Sequence, residues 1–521
     1  MKRDNGLKSI AGSDKIAHAI MVQGTGSGVG KSLIVTALCR IFARRGYRVS
    51  PFKAQNMALN SFVTSDGGEI GRSTAVQAMA AGIEPVTAMN PILLKPKADV
   101  TSQLIVMGKP VGDFSAVQYF EGQRNILRRK MSVVRKGWKE ISSRFDVVVI
   151  EGAGSPAEIN LRRQDVVNMR TAKMAAAEVI LVADIDKGGA FAALAGTYSL
   201  LTPSDRKQIG AFLLNKFRGD PVLLGNATEE ITKRTGVPFL GVIPYIRGLN
   251  IQEEDAIPAK IQGSANADLK IGVIYLPHIS NFTDLDPLGW EPGTQLIYIS
   301  DPREIDDVDA IVLPGTKNTT GDLKYLWDSR IAEAIIKAVR RGVPIVGICG
   351  GYQMLGKSIE DEEGLESAER SVRGLDLLPV ITNFRKKKVL RQAIFSPAGA
   401  PPFLKNCGLK LKGYEIHHGL TRRLRDARPA FCAVSSDGAP EGCVSESGTI
   451  FGSYLHDLFE NDRFRREFIN CLRKKKHLKP ISGKIIHARQ KREKDFDELA
   501  DIVLQSIDTK LLDRLVGLDK L

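Results

Sequence analysis

Long hydrophobic runs, paired cysteines and aromatic residues are all scarce in this sequence of 521 residues. No apolar stretch is long enough to span a bilayer, and residues 1–15 are polar and of mixed charge, unlike a secretory signal. The six cysteines show no CxxC spacing, which argues against a disulfide framework or a zinc site and suits a reducing compartment. We therefore expect a cytoplasmic protein with no membrane partner.

Acidic residues are outnumbered by basic ones, and the formal net charge is +15. Much of the excess lies in short basic runs at residues 385–388, 422–425 and 473–476. No aromatic-rich nucleic-acid module accompanies these runs, so we interpret them as solvated surface and expect no nucleic-acid partner. They can also help to attract polyanionic substrates.

A glycine-rich loop with the sequence GTGSGVGKS, at residues 24–32, is the strongest motif of the first half. An apolar run precedes the loop and a helical pattern follows it, which is the strand, loop and helix order of a phosphate cradle. The common motif has glycine where this chain has Thr25. The residues expected to bind ATP here are Gly24, Thr25, Gly28, Gly30, Lys31 and Ser32.

Polar residues at the ends of other strands extend this predicted nucleotide site. Lys53 follows a short strand and is expected to be a second phosphate ligand. Glu151 ends a buried β-branched strand and is a predicted Mg²⁺ ligand together with the Ser32 hydroxyl. Asp66, in a polar loop, is a further Mg²⁺ candidate, and Asn215 at another strand end is placed to meet a nucleobase edge.

The alternation of strands and helices over residues 16–257 predicts one doubly wound parallel sheet. Residues 258–268 are small, polar and without periodicity, so they form the predicted linker. A second α/β domain is expected over residues 269–465, followed by a helical extension, 466–521, that caps its own domain. The predicted fold class is therefore α/β, with a P-loop domain followed by a second α/β domain.

A second site is marked by the pattern GxCxG at residues 347–351. The small residues beside Cys349 permit a tight strand-to-helix turn that exposes its side chain, and the following helix N-terminus favours the thiolate. We therefore interpret Cys349 as a nucleophile. Backbone N–H groups of Gly350 and of the turn that contains Gly315 are expected to form an oxyanion hole.

A thiolate nucleophile needs a base, and the chain has seven histidines. His456 follows a predicted strand around residues 449–454, which makes it the preferred base. His417 and His418 are the alternatives that the sequence leaves open.

Specific sequence patterns also occur at residues 52–57, 60–61, 89–91, 94–96, 151–161, 279–284, 313–319 and 347–356. A nucleotide-activating domain followed by a cysteine acyl-transfer domain suits glutamine-dependent amidation. Through these segments, and over nearly its whole length, the chain resembles the glutamine-hydrolysing cobyric acid synthases of cobalamin biosynthesis.

The resemblance implies an N-terminal domain like dethiobiotin synthetase and a C-terminal domain like the class I glutamine amidotransferases. It implies ATP-dependent amidation of the b, d, e and g carboxylates of adenosylcobyrinic acid a,c-diamide, which gives adenosylcobyric acid. The partners would be small molecules, namely a corrinoid, glutamine and ATP. Cys349 would be the glutamine nucleophile with His456 as its base, and Glu158, Asn160 and Arg162 would contact the substrate.

Three positions depart from related patterns. The wider amidotransferase class has glutamate two residues after the histidine base, where this chain has Leu458, as is typical of the cobalamin branch. What orients His456 is therefore left open. Lys187 stands where family members usually have arginine, and His278 where they often have it. A lysine does not reproduce the bidentate contacts of arginine.

Three other interpretations fit part of the sequence. The sister enzymes that amidate the a and c carboxylates of the same corrin share both domain types, but residues 55–57 and 89–91 favour the later-acting synthase. A partitioning-type P-loop ATPase usually has lysine where this chain has Gln23, and it lacks an amidotransferase half. An inactive, purely structural second domain is hard to reconcile with Cys349 in its turn and a candidate base.

Overall fold

The computed structural model describes residues 17–98, 101–115, 124–249, 251, 260–264, 266–366, 369–398, 409–425, 427–434 and 438–519. Residues 1–15, three positions of the predicted linker (258, 259 and 265) and Cys407 lie outside this part of the chain. The chain divides into two compact units. The first consists of Met1–Ala58, Thr64–Asp255 and Arg492–Leu521, and the second of Leu59–Val63 and Ala256–Lys491.

A six-stranded sheet forms the centre of the first unit, and all of its pairings are parallel. Its strands, in spatial order, are Phe239–Pro244, Ile209–Phe217, Glu178–Asp184, His18–Gly24, Val147–Glu151 and Val49–Phe52. The strand Val147–Glu151 is buried throughout, as its β-branched run predicts for a central parallel strand. Its residue Glu151 pairs with Val22, so this carboxylate and the loop after Gly24 lie at the same edge of the sheet.

Helices cover this sheet, and a smaller four-stranded sheet belongs to the same unit. The smaller sheet contains Gln55–Met57, Ile92–Ala98, Thr101–Val106 and Lys109–Ser115. A short strand, Glu69–Gly71, is also part of this unit. The helical elements are Lys31–Arg44, Arg72–Ala80, Thr87–Met89, Arg124–Ser142, Met169–Met174, Ala190–Leu200, Pro203–Arg206, Pro221–Leu224 and Ala227–Thr235.

The C-terminal residues also pack in the first unit, which differs from the expected extension of the second domain. The helices Ala488–Gln505 and Thr509–Val516 contribute Leu499 and Leu512 to a hydrophobic core that contains Ile20 of the central sheet. The sequence predicted a helical extension here, which the structure forms as two helices separated at residues 506–508. It could not identify the surface that these helices cover, because an apolar face specifies burial and not a partner.

The second unit is built on a seven-stranded sheet. In spatial order its strands are Ile261–Gly263, Thr294–Ile299, Leu269–Ile274, Ala310–Leu313, Ile345–Ile348, Ile450–Ser453 and Cys443–Val444. The four inner pairings are parallel, and the strands at the two edges pair antiparallel to their neighbours. The edge strand Ile261–Gly263 lies inside the segment that was predicted to be a linker. A strand of only three residues is too short to show a periodic pattern in the sequence.

A second, mostly antiparallel sheet belongs to this unit. Its strands are Ser371–Arg373, Ser358–Glu360, Val380–Pro397, Leu411–Arg423, Phe431–Ala433 and Pro440–Glu441. The long pair Val380–Pro397 and Leu411–Arg423 carries Tyr414 and His417. This pair has no clear sequence signature, because basic runs interrupt the alternation of apolar and polar residues.

The remaining elements of the second unit include one strand from early in the chain. Residues Ser61–Val63 form this strand, so the predicted first domain, 16–257, is interrupted at residues 59–63. The helical elements are Phe282–Leu285, Asp286–Trp290, Pro302–Asp307, Thr319–Asp328, Ile331–Arg340, Gly350–Met354, Leu458–Glu460 and Asp462–Lys475.

Both units are α/β folds with parallel central sheets, which confirms the predicted fold class. Among the helices that the structure describes, none has the length and the apolar character needed to cross a membrane.

Truncation of Leu512 tests the placement of the C-terminal helices. Leu512 is fully buried, so we expect Leu512→Ala to lower the unfolding free energy of the first unit by about 2–5 kcal/mol. Lys510 on the same helix is exposed, and Lys510→Ala should change that free energy by less than about 0.5 kcal/mol. Urea denaturation of both variants measures the difference, and equal effects would contradict this packing.

Candidate active sites

The phosphate loop adopts a conformation that requires glycine. Gly28 and Gly30 have φ angles of 68° and 96°, a region that side chains strongly disfavour. A Cβ at Gly30 would also lie 2.1 Å from the amide nitrogen of Asn215. The Lys31 ammonium donates to the carbonyl oxygens of Gly26 at 2.8 Å and Gly154 at 3.2 Å, so it lies curled over the loop.

A buried carboxylate stands opposite the first turn of the loop's helix. Glu151 accepts hydrogen bonds from the Ser32 hydroxyl at 2.8 Å and from the Lys53 ammonium at 2.9 Å, both at Oε1. Its other oxygen, Oε2, accepts a hydrogen bond from Gln77. Burial raises the pKa of Glu151, but the charge of Lys53 and these hydrogen bonds outweigh burial and hold the pKa below its usual value.

Three of the four members of this cluster were predicted from the sequence. The structure brings Ser32, Lys53 and Glu151 together as expected. Gln77 was not predicted, because a glutamine inside a helix of small residues carries no motif. Its burial and its contact with Glu151 are what mark it.

A cavity of about 420 Å³ opens beside this cluster. Its lining includes Gly28, Gly30, Lys31, Ser32, Lys53, Glu151, Glu158 and Arg162 from the predicted residues. The guanidinium of Arg162 donates to the carbonyl of Leu200, and its buried Nε has no hydrogen-bond partner among the described residues. Because Arg162 lines the cavity, its guanidinium charge lies where it can attract an anion. Asn160 is exposed and is not part of the lining.

Two other predicted residues have different surroundings from those expected. The Asp66 carboxylate accepts hydrogen bonds from the backbone and hydroxyl of Thr87, and it is not part of the cavity lining. The amide nitrogen of Asn215 donates to the Val29 carbonyl at 2.8 Å, so it supports the loop backbone. In both cases the fold gives the polar side chain a hydrogen-bond partner that the sequence did not indicate.

Two lysines lie at the phosphate loop. Lys216 donates to the Gly28 carbonyl at 2.6 Å and pairs with Asp184 at 3.1 Å, and the sequence analysis did not identify it. The ammonium of Lys187 lies 4.0 Å from the position that a Cβ would take at Gly28. Lys187, which stands where the family usually has arginine, is thus a cation beside the phosphate loop.

Within the described part of the chain, no group of three or more His, Cys, Asp or Glu side chains is arranged to hold a metal ion.

In the second unit, Cys349 occupies a sharp turn between the strand Ile345–Ile348 and the helix Gly350–Met354. Its φ of 51° and ψ of −107° place a non-glycine residue in a strained backbone conformation. A Cβ at Gly351 would lie 1.9 Å from the carbonyl oxygen of Leu313, so the turn tolerates no larger residue there. This is the tight turn that the GxCxG pattern predicted.

The environment of Cys349 contains the predicted oxyanion glycines. A Cβ at Gly315 would lie 3.7 Å from the Cβ of Cys349 and 3.3 Å from Cε1 of His456. Gly350 packs against the backbone nitrogen of Thr316 in the same turn as Gly315. The structure thus places both glycines beside Cys349. The helix after Cys349 spans only five residues, so we assign the main stabilisation of a thiolate to His456.

His456 is oriented by Asp284, a carboxylate that ends the sequence pattern 279–284 and that had no predicted role. Its Nδ1 lies 2.6 Å from Oδ2 of Asp284, and both side chains are buried. Burial alone would lower the pKa of His456, but the Asp284 carboxylate and the neighbouring Cys349 outweigh burial and raise this pKa to about 10. With Nδ1 facing Asp284, the buried Nε2 is the ring nitrogen left to exchange a proton with Cys349.

The other two histidines have different environments. His417 stacks on the ring of Tyr454 at 3.6 Å, and its Nδ1 lies 2.6 Å from the Gly419 carbonyl oxygen. His418 has its Nδ1 3.2 Å from the carbonyl oxygen of Arg385. The geometry therefore favours His456, which combines a carboxylate partner with a position beside Cys349 and Gly315.

His278 supports the oxyanion turn through its backbone. Its carbonyl oxygen accepts hydrogen bonds from the Thr316 hydroxyl at 3.0 Å and from the Lys317 backbone at 3.1 Å. Its Nδ1 lies 2.7 Å from Oδ1 of the buried Asp322. The position where arginine is often found in the family thus helps to hold the turn that contains Gly315.

Two family models match the chain in succession. Residues 20–259 match the CobQ/CobB/MinD/ParA nucleotide binding domain. Residues 270–464 match the CobB/CobQ-like glutamine amidotransferase domain. Together with the cysteine site and the phosphate loop, these matches define a glutamine amidotransferase that carries its own nucleotide-binding domain.

Relatives that span the chain narrow this class. A protein named cobyric acid synthase from Pelotomaculum thermopropionicum is 48% identical over 89% of this chain and 89% of its own length. Proteins of the same name from Sorangium cellulosum and Desulforamulus reducens are 47% and 45% identical, over 97% and 96% of this chain and 99% of each relative. The chain belongs to the cobyric acid synthase family, the glutamine-hydrolysing amidotransferase ligases of cobalamin biosynthesis, which confirms the resemblance.

Replacement of Asp284 by asparagine tests the origin of the raised His456 pKa. Without the carboxylate, burial would lower that pKa, so the imidazolium that stabilises the thiolate would be lost at a lower pH. We expect glutamine hydrolysis by Asp284→Asn to fall by about 10²–10⁴-fold at pH 8, with the basic limb of the pH profile moved downwards. The control is Asp322→Asn, which changes a buried carboxylate that contacts His278 instead of His456. The basic limb of the pH profile of this variant should stay in place. If the basic limb of the pH profile is unchanged in Asp284→Asn, Asp284 is not the cause of the raised His456 pKa.

Proposed function

We propose that this chain catalyses the ATP-dependent amidation of the b, d, e and g carboxylates of adenosylcobyrinic acid a,c-diamide, with glutamine as the nitrogen donor. Adenosylcobyric acid is the product. The observation that carries the proposal is that each unit holds the groups for one half of this reaction. The second unit has Cys349 with His456 and Asp284, and the first has Lys31, Ser32, Lys53 and Glu151 beside a cavity.

The glutamine half of the reaction starts at Cys349. Its thiolate attacks the side-chain amide carbon of glutamine, and the negative charge that forms on oxygen is held by backbone N–H groups of Gly315 and Gly350. His456 gives its proton to the departing nitrogen, which leaves as ammonia. A thioester between Cys349 and the glutamyl group remains. His456 then removes a proton from water, which hydrolyses the thioester and releases glutamate.

The nucleotide half takes place at the phosphate loop. Lys31, Lys53 and the loop N–H groups bind the triphosphate of ATP, with the Gly28 and Gly30 backbone shaped for close approach. A corrinoid carboxylate attacks the γ-phosphorus, ADP leaves, and an acyl phosphate forms. Ammonia then attacks the acyl carbon and displaces phosphate, which leaves an amide. Positioning and charge neutralisation are the protein's main contributions to the phosphoryl transfer.

Ser32 and Glu151 are the residues that would hold Mg²⁺. Their oxygens lie 2.8 Å apart at the cavity, and a hydroxyl with a carboxylate is the hard oxygen donor set that Mg²⁺ prefers, with phosphates and water as its other ligands. When bound, the ion would neutralise charge on the phosphates. Asp66 is not part of this proposal, because its carboxylate is bound to Thr87 away from the cavity lining.

Arg162 and Glu158 are the proposed substrate contacts. Both line the cavity beside Ser32, Lys53 and Glu151. A guanidinium donor suits the substrate's carboxylates. Asn160 is exposed outside the lining, so its predicted role has less support than that of its two neighbours.

Replacement of Cys349 by alanine separates the two half-reactions. We expect Cys349→Ala to abolish glutamine-driven amidation while ammonium salts still support it, because only the glutamine half uses the thiol. Lys31→Ala should abolish both, because phosphate binding serves both nitrogen sources. Product formation measured with glutamine and with ammonium salts checks both expectations. Cys432→Ala is the matched control, because Cys432 is a free cysteine elsewhere in the second unit. Loss of ammonia-driven activity in Cys349→Ala would contradict the division.

Mass spectrometry of the corrinoid tests the acceptor directly. Adenosylcobyrinic acid a,c-diamide incubated with the protein, glutamine, ATP and Mg²⁺ should gain amide groups in steps until four carboxylates are converted. Amidation of cobyrinic acid with no change in the a,c-diamide would instead assign the sister reaction on the a and c carboxylates. No amidation of either corrinoid would overturn the proposed acceptor.

A further inference from the structure

A short segment from early in the chain belongs to the amidotransferase unit. Residues Leu59–Val63 lie in the second unit, although the chain on both sides of them belongs to the first. Asn60, Ser61, Phe62 and Val63 are all buried. The two polar residues, Asn60 and Ser61, need hydrogen-bond partners when they are buried in this way, and the structure shows what these partners are.

The first set of contacts is to the turn that carries Asp284. The Asn60 side-chain oxygen accepts a hydrogen bond from the backbone nitrogen of Asn281 at 2.7 Å. In return, the Asn281 side-chain oxygen accepts one from the backbone nitrogen of Ser61 at 3.1 Å. Asn281 has a φ of 53°, a conformation that a non-glycine residue adopts at a cost, and these reciprocal bonds stabilise it.

This turn leads directly to the carboxylate that orients the base. The Asn281 carbonyl oxygen accepts a hydrogen bond from the Asp284 backbone nitrogen at 3.0 Å. The Asp284 side chain in turn lies 2.6 Å from Nδ1 of His456. A change in the backbone of Asn281 would therefore move the carboxylate relative to the imidazole.

The second set of contacts is to a ring that covers His456. Tyr414 is buried, and its hydroxyl donates to the Ser61 carbonyl at 3.3 Å. The Phe62 ring lies 5.4 Å from the Tyr414 ring. Tyr414 stacks on His456 with the ring centroids 5.0 Å apart and the planes 12° from parallel, and its carbonyl accepts a hydrogen bond from the His456 backbone.

We propose that Asn60, Ser61 and Phe62 are positioning residues of the glutaminase site. They fix the Asp284 turn at the edge of the His456 ring and the Tyr414 ring at its face. The glutaminase base is thus held in place by residues that the sequence places within the nucleotide-binding half, shortly after Lys53. This inference rests on the proposed role of His456 as the base.

The main test is the pH profile of glutamine hydrolysis by Asn60→Ala in the full chain. Loss of the Asn60 oxygen frees the Asn281 turn, so we expect kcat to fall by about tenfold to a hundredfold with little change in KM. The basic limb of the profile should move to lower pH, because Asp284 then stabilises the imidazolium less well. A role in stability alone would leave this limb in place.

Asn470→Ala is the matched control for the lost hydrogen bond. The Asn470 side-chain oxygen accepts a hydrogen bond from the Ile481 backbone at 2.7 Å, the same kind of bond at the same length, on the helix Asp462–Lys475. This variant should keep the pH profile of the unmodified protein. Identical profiles for Asn60→Ala and Asn470→Ala would overturn the inference.

A second pair of variants keeps the inference testable if Asn60→Ala does not fold. Tyr414→Phe retains the ring over His456 and loses the hydroxyl contact with Ser61, whereas Tyr414→Leu loses both. We expect kcat for glutamine hydrolysis to fall about tenfold or more in Tyr414→Leu and clearly less in Tyr414→Phe. Equal kcat values and unshifted profiles in both variants would contradict the inference.

A combined variant separates this inference from the assignment of the base. Because Asn60 is argued to act through Asp284, Asn60→Ala should add little to the loss already caused by Asp284→Asn. Fully additive losses would show that Asn60 acts independently, against the inference. If His456→Ala retains glutamine hydrolysis, the assignment of the base itself is wrong, and this result is distinguishable from a failure of Asn60 alone.

Discussion

The buried hydrogen bond between His456 and Asp284 is the interaction on which the glutaminase site depends. An unpaired imidazolium in this interior would be strongly disfavoured, and the carboxylate at 2.6 Å makes it stable. The strained turn at Cys349 brings a thiol to this pair, and Gly315 leaves room for both side chains. His456 therefore carries a charge that Asp284 balances on one side of the ring and that faces Cys349, the proposed nucleophile, on the other.

The nucleotide site follows a similar principle with the charges reversed. Glu151 is buried, and Lys53, Ser32 and Gln77 compensate its negative charge. The parallel sheet brings these groups together, because Glu151 and the phosphate loop both follow the carboxyl ends of adjacent strands. In both units, then, a buried carboxylate fixes the position of a cationic side chain at the proposed site.

Local patterns were enough to predict the residues that lie on one continuous motif. The phosphate loop, the strand end at Glu151 and the turn at Cys349 each combine glycines with a buried strand, so their positions follow from short-range sequence. Asp284 was not predictable in this way, because it lies 172 positions from His456 and only the folded sheet brings the two together. The packing of the C-terminal helices and of residues 59–63 could not be predicted from the sequence for the same reason, since burial patterns do not specify a partner.

The most direct measurement of the central claim is the protonation state of His456 by NMR in protein labelled with ¹⁵N at histidine. The His456→Gln variant would assign the signal. We predict that the ring stays an imidazolium well above the ordinary histidine pKa of 6.5 and titrates with a pKa of about 10. A ring that is already neutral at about pH 8, above the ordinary histidine range, would contradict the claim that Asp284 holds the charge of the base.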